Sequence, residues 1–262
     1  MSDRLNVGMI GCGEIAVQHA KALDSASNAK IGMVMDVNEG VAKDLGERYN
    51  VPHTTSVDAL LANDEIQTVY IAVPHYLHAP LSIQAAQAGK HIMVEKPISV
   101  TLKQADEMIA AAKENHVLLS VCFVSRYTQQ AIKVKELIEA GVIGEVFALR
   151  MSAIADKPET YWHGGYTQRI RTDWRTIKAQ AGGGILIMNI VHDFDQMRYM
   201  TGLEPVRVYA EYDTFTTPVE VEDMISVVIR YHNGAIGSID ATSCGRGRGG
   251  MSNRIYGKDG QI

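Results

Sequence analysis

A chain of 262 residues with 46 % hydrophobic and 21 % charged side chains is long enough for two cores and has the composition of a soluble globular protein. Its net charge of −5 and the lack of a basic run argue against a nucleic-acid surface, which needs clustered Lys and Arg to neutralise phosphates. Cys12, Cys122 and Cys244 are widely spaced and offer no metal-ligand pattern, and Met1-Ser2-Asp3-Arg4 leads straight into a strand without a signal peptide or apolar span, so a cytoplasmic protein with no membrane partner is expected.

Leu5 to Ile10 reads as a buried strand running into Gly11-Cys12-Gly13-Glu14-Ile15-Ala16, the G-x-G-x-x-A form of a dinucleotide-binding turn. Gly11 permits the tight turn, Gly13 leaves room for a pyrophosphate, and Ala16 lets the following helix lie close on the sheet. The N–H groups at the start of that helix, near Glu14 and Ile15, suit phosphate. A second apolar run, Ile31 to Met35, ends on Asp36. That is about twenty residues beyond the turn, where a carboxylate binds the adenosine ribose hydroxyls. Asp36 should repel a 2′-phosphate, and Val37-Asn38 brings no Arg to offset it, so NAD is expected rather than NADP.

A helix from about Glu39 to Arg48 leads to Val51-Pro52-His53, and Ser56 caps a short helix through Leu61. Thr68 to Val73 is a β-branched strand closed by Pro74, the next helix runs from about His78 to Ala88, and His91 to Val94 is a strand ending in Glu95-Lys96-Pro97. A helix over Thr101 to Asn115 and a strand over Val117 to Val121 complete the alternation. Such a pattern predicts an α/β, doubly wound parallel sheet over residues 1–123, with its crevice at the carboxyl ends of the strands.

Beyond Phe123 the rhythm changes. A helix from about Gln129 to Ala140 precedes long strands at Val146 to Ile154 and Arg207 to Phe215, and Asn233-Gly234 joins Met224–Tyr231 to Ala235–Ala241 as a hairpin. Residues 124–262 therefore read as an α+β domain with a mostly antiparallel open sheet. Its uncovered face should be broadly apolar and should join copies into a dimer or tetramer. Gly245 to Gly250, with Arg246 and Arg248, reads as a mobile loop. On a helix from about Ile185 to Met200, Met188, Val191, His192 and Asp195 share one face, while Asp193 should point to solvent.

Four features occur in order: the glycine turn, Pro74-His75-Tyr76-Leu77-His78, Glu95-Lys96-Pro97, and Gly182-Gly183-Gly184 followed by His192 and Asp195. With them the chain resembles the glucose-fructose oxidoreductase and inositol dehydrogenase family, usually called Gfo/Idh/MocA. The resemblance implies an NAD(P)-dependent oxidoreductase acting on sugars or cyclitols, with Pro74, His78, Glu95 and Lys96 joining the glycine turn and Asp36 at the cofactor. Lys96 would hold the developing alkoxide and His192 would exchange the hydroxyl proton, with Asp195 orienting the His192 ring or bonding nearby backbone. A neutral His78 is expected at its helix start. Arg126, Trp174, Arg175 and Asn189 are candidates for the substrate side, with His75, Tyr76 and Tyr127 weaker ones. Two departures stand out. Met188 occupies the position, four before the His, where many sugar and cyclitol dehydrogenases of the family carry Asp, and family members usually run several tens of residues further, so a C-terminal truncation is expected. Two alternatives stay open: an NAD-dependent glycosidase of the same family, for which the same oxidation is a first step, and, encouraged by these departures, a cofactor-binding regulator or inactive partner subunit.

Overall fold

The computed structural model describes residues 4–247 and 249–262; Met1 to Asp3 and Arg248 of the expected loop lie outside the described residues. The chain divides into two compact units. The first comprises the chain through Cys122 together with residues 160–174 and 179–182, and the second comprises residues 123–159, 175–178 and 183–262. A boundary at residue 123 implies a single crossing between domains. The extra crossings arise because the 160–174 segment is bonded to the glycine turn, as described below.

In the first unit six strands run parallel: β1 (Leu5–Ile10), β2 (Ala29–Met35), β3 (His53–Thr54), β4 (Thr68–Ile71), β5 (His91–Val94) and β6 (Leu119–Val121), in spatial order β3-β2-β1-β4-β5-β6. Helices cover both faces, which is why the strand sequences are apolar throughout rather than alternating. Met9 lies in the core on one side of the sheet with Ala16, Val34 and Tyr70, and its neighbour Ile10 in the core on the other with Ile71, Val94 and Met108. Strand order reverses between β1 and β4, so the crevice opens there, beyond Ile10 and Ile71. The helix ends follow local chemistry: the side chains of Asn38, Ser56 and Thr101 each accept a backbone N–H from the first turn they precede.

The second unit is built on a sheet of order β12-β11-β7-β10-β9-β8, with β7 (Val146–Ile154), β8 (Pro205–Asp213), β9 (Met224–Tyr231), β10 (Ile236–Thr242), β11 (Gly250–Gly257) and β12 (Gly260–Gln261). β7 and β10 are parallel and the other pairs antiparallel. One face packs Met151, Ile225, Val227, Ile229 and Ile239 against Ala131, Ile190, Met197 and Met200 of the helices.

The opposite face departs from expectation. The register aligns Ser252, Ser152, Asp240, Ser226 and Glu211 in one row across it, and Arg254, Arg150, Ser238, Val228 and Tyr209 in the next. Alternation has placed Ser, Arg and acidic residues on that side, so the face is largely polar, and Ser226 Oγ donates to Asp240 Oδ1 at 2.7 Å across it. Exposed Ile154, Val228 and Ile236 interrupt that polar face, and the edge strand β8 exposes Val206, Val208, Tyr209 and Tyr212.

The predicted helix from Ile185 is present but opens with a wide π turn at Leu186–Ile190 before the α-helix Val191–Thr201. Glu222 secures its start: Oε2 accepts Gly184 N–H at 2.6 Å, Oε1 accepts Leu186 N–H at 3.2 Å, and the Glu222 carbonyl accepts Ile185 N–H at 3.1 Å. Gly184 must lack a side chain here, because a Cβ would run into the Glu222 backbone. Asp193, expected in solvent, is buried and accepts a 2.6 Å hydrogen bond from Asn253 Nδ2, since β11 supplies a partner on that side. The expected Gly245–Gly250 loop is shorter than predicted, with Cys244 bridged to Asp156 and Gly250 already in β11. Among the described residues no helix is long and apolar enough to cross a membrane.

Candidate active site

In the first unit the glycine turn follows β1 as the sequence predicts. Gly11 has φ +96°, and a Cβ on it would collide with the Ala72 carbonyl. Gly13 is extended and begins the helix Glu14–Asp24 without a side-chain cap, so the first-turn N–H groups are left for a ligand. Ala16 is fully buried against the sheet and Ile15 is exposed. Asp36, at the end of β2, accepts Cys12 N–H through Oδ2 and Asn38 N–H through Oδ1, both at 2.8 Å. A carboxylate has about four lone-pair sites, so these bonds fix its position and leave acceptor capacity for ribose hydroxyls. Space at Gly13, bare N–H groups and a placed carboxylate together fit a dinucleotide.

Glu14 Oε2 accepts Tyr166 N–H at 2.9 Å. Pro74 leads into a short 3-10 turn, His75–Leu77. His78 braces two backbone segments. Its ring is fully buried, with Nδ1 2.7 Å from the Pro97 carbonyl and Nε2 3.0 Å from the Val73 carbonyl. Burial pushes its pKa down, so it is neutral, as expected, and one nitrogen donates while the other faces an acceptor.

Glu95 likewise lies beneath the surface. Its Oε1 accepts from Tyr70 Oη at 2.5 Å and lies 3.0 Å from His19 Nε2, while Oε2 accepts Lys96 N–H at 3.2 Å. Burial alone would raise its pKa, but the bonds from His19 and Tyr70 prevail and hold it below the ordinary carboxylate value. Burial pushes the nearby Cys122 thiol up to about 12, so it stays protonated. Lys96 follows β5, is half-buried, and is joined to Pro97 by a cis peptide bond. Trp174 packs on the His75 ring at a centroid distance of 4.4 Å, and His75 Nδ1 lies 2.8 Å from the Ala181 carbonyl.

In the second unit His192 is the second residue of its α-helix, and the Phe123 ring stands edge-on to it at 6.2 Å. Asn189 is half-buried in the π turn, Met188 is buried beside it, and Arg175 is half-buried in the 3-10 turn Trp174–Thr176. Asp195 and Arg126 find each other. Arg126 Nε donates to Oδ2 at 2.7 Å and Nη2 to Oδ1, while the guanidinium lies over the rings of Phe123 and Tyr199. A fork of this kind fixes Arg126 on Asp195, a pairing that the sequence reading did not foresee and that leaves the remaining guanidinium donors of the partly exposed Arg126 for other partners. His19, Tyr70, Glu222 and Arg169 escaped the sequence reading. Only the acidic pair Glu222-Asp223 amid apolar neighbours gave a signal.

A parallel sheet of this order, with a glycine turn and a fixed carboxylate at its switch point, is the architecture of a dinucleotide-binding domain. The chain belongs to the Gfo/Idh/MocA family: residues 5–123 match its oxidoreductase model with an NAD-binding Rossmann fold, and residues 131–262 match its C-terminal domain. Levoglucosan dehydrogenase of Pseudarthrobacter phenanthrenivorans is 30 % identical over 291 residues, covering 98 % of this chain and 73 % of that protein. Myo-inositol 2-dehydrogenase of Thermotoga maritima is 29 % identical over 270 residues, covering 98 % and 74 %. A solved structure of levoglucosan dehydrogenase with NADH and levoglucosan has a TM-score of 0.86 at 30 % identity, covering 99 % of this chain and 72 % of that one.

The Glu95 cluster makes a pH-dependent prediction. Tyr70→Phe removes one bond to the ionised carboxylate and should cost about 1–3 kcal/mol of stability at neutral pH. A depressed carboxylate contributes stability above its unfolded pKa and loses it as pH falls through the folded one. The deficit of Tyr70→Phe should therefore shrink as pH drops below the ordinary glutamate value of 4.5. Denaturant midpoints across that range check this, and a pH-independent deficit would contradict it.

Proposed function

We propose that this NAD-dependent oxidoreductase acts on a secondary alcohol, or the corresponding carbonyl, of a sugar, sugar acid or cyclitol. The observation that carries the reading is Lys96 at the carboxyl end of β5, its backbone fixed by a buried, ionised Glu95. The substrates named for levoglucosan dehydrogenase and myo-inositol 2-dehydrogenase support the substrate class. When bound, the nicotinamide accepts or returns the hydride. The Lys96 ammonium stabilises the alkoxide oxygen in oxidation and polarises the carbonyl in reduction. A ring nitrogen of His192 takes the hydroxyl proton and returns it in the reverse direction. Trp174, Arg175 and Asn189 bind the substrate. Glu14, Ile15, Ala16 and Pro74 shape the cofactor site around Gly11, Gly13 and Asp36. A cytoplasmic location is part of the same reading, supported by the free thiols of Cys12, Cys122 and Cys244.

Assembly as a dimer or tetramer through the second unit's sheet also belongs to the proposal. Its support is the edge strand β8, which combines unpaired backbone groups with exposed Val206, Val208, Tyr209 and Tyr212.

Two outcomes are expected. In a cofactor-reduction screen over polyols, sugars and sugar acids, the best substrate should lose about 10²–10³ in kcat with Lys96→Ala. His192→Ala should lose less, because water partly replaces a proton acceptor, and both variants should keep near-normal NADH affinity. Full turnover by Lys96→Ala would remove it from the site. Light scattering at micromolar concentration should give a dimer or tetramer, and Tyr209→Glu on β8 should shift it toward monomer; a wild-type monomer would contradict the assembly.

A further inference from the structure

Residues 160–174 pack with the first unit although the neighbouring sequence belongs to the second. Their contacts converge on the glycine turn. Tyr166 N–H reaches Glu14, the first residue of the helix that follows the turn. Arg169 donates through Nε to the Cys12 carbonyl at 2.8 Å and through Nη2 to Asp44 Oδ2 at 2.7 Å, with the Val41 carbonyl 3.3 Å from the same nitrogen. Its hydrogen bond holds the Asp44 carboxyl below the usual range. Cys12 is thus tied on both backbone groups, by Asp36 at its N–H and by Arg169 at its carbonyl.

Ile170 adds the third contact. Its Cδ1 stands 3.8 Å from where a Cβ on Gly13 would be, and among the described residues no other atom outside the turn comes within 4 Å of that point. Gly13 is bare so that a pyrophosphate can approach, and the space a side chain would take there is faced by this one flexible group. The segment is also braced within itself. Thr172 N–H donates to the His163 carbonyl at 2.9 Å, and Gln168 Nε2 donates to the Thr160 carbonyl at 2.7 Å and to that of Gly165 at 2.8 Å. Such bracing favours movement as a piece over fraying residue by residue.

We propose that residues 160–171 are a strap over the pyrophosphate of the bound cofactor and that Arg169 is the positioning residue that fastens it. The strap lifts to admit or release the dinucleotide and refastens when Arg169 regains Cys12 and Asp44, with the flexible Ile170 side chain turned aside onto the pyrophosphate that then fills the space at Gly13. Closing it keeps water from the phosphates and strengthens their bonds to the helix N–H groups. This inference rests on the NAD reading of the glycine turn.

The test uses the full chain with NADH as probe. Release is followed by stopped-flow loss of nicotinamide fluorescence on displacement by excess NAD, and strap opening by tryptic cleavage after the exposed Arg171. Arg169→Ala should speed release about tenfold, since lost closing contacts fall mainly on the off-rate. Arg169→Lys, which keeps the charge but lacks the fork that spans Cys12 and Asp44, should fall between. Ile170→Ala should also speed release while leaving the Arg169 bonds in place, which covers the case in which Arg169→Ala does not fold. NADH should slow cleavage after Arg171 in the wild type and protect less in Arg169→Ala. Unchanged release in Arg169→Ala and Ile170→Ala, or cleavage after Arg171 indifferent to NADH, would overturn the strap. Failure of the wild type to bind NADH would overturn the cofactor site beneath it.

Discussion

The hydrogen bond from Cys12 N–H to Asp36 is the constraint on which the cofactor site depends. It ties the turn after β1 to the end of β2, so the glycine turn and the Asp36 carboxylate are placed as one unit. The same carboxylate accepts Asn38 N–H, and the Asn38 side chain caps the next helix. Gly11 combines a positive φ with a Cα so close to the Ala72 carbonyl that no Cβ would fit, which brings the residue after β4 into the same arrangement. Three neighbouring strands thus meet at the switch point without a side chain filling the space a pyrophosphate needs.

Acidic side chains binding backbone N–H groups recur at several turns of the structure. Glu95 accepts the N–H of Lys96, Glu222 accepts those of Gly184 and Leu186 ahead of the His192 helix, and Asp223 accepts those of Phe215, Thr216 and Thr217. Burial raises the pKa of Asp223, but its three backbone bonds prevail and hold the carboxyl low. Each such acid fixes a turn by several bonds at once, which a loop held by solvent-exposed contacts cannot do. Lys96 and the start of the His192 helix, to which the proposed chemistry is assigned, are thereby held by neighbours that need touch no ligand themselves.

The strands and helices of the first unit were legible because β-branched runs ending in Pro or Gly alternate with capped helical stretches, and the Asn233-Gly234 hairpin because that dipeptide suits its turn. The partners of the acids were not. Tyr70 lies 25 residues from Glu95, Arg126 lies 69 from Asp195 and Arg169 lies 157 from Cys12, and no local pattern links such pairs. Helical periodicity placed Asp195 on the face of His192 correctly, yet the longer Arg126 side chain, arriving from another element, took the carboxylate. Apolarity of the open sheet was misjudged because strand content was read without register, and register decides which face receives Ser, Arg and Glu. Met188, where the resemblance leads one to expect a carboxylate, is buried.

The most direct test of the account is a paired fluorescence titration of the wild-type chain with NADH and NADPH. Asp36 is held by two backbone N–H groups and so cannot swing away from a 2′-phosphate, and the nearby guanidinium of Arg169 is engaged by Asp44. NADH should bind tightly and NADPH at least about tenfold more weakly, a difference on the order of 1.4 kcal/mol. Equal or tighter binding of NADPH would contradict the role given to Asp36 and, with it, the arrangement of the cofactor site.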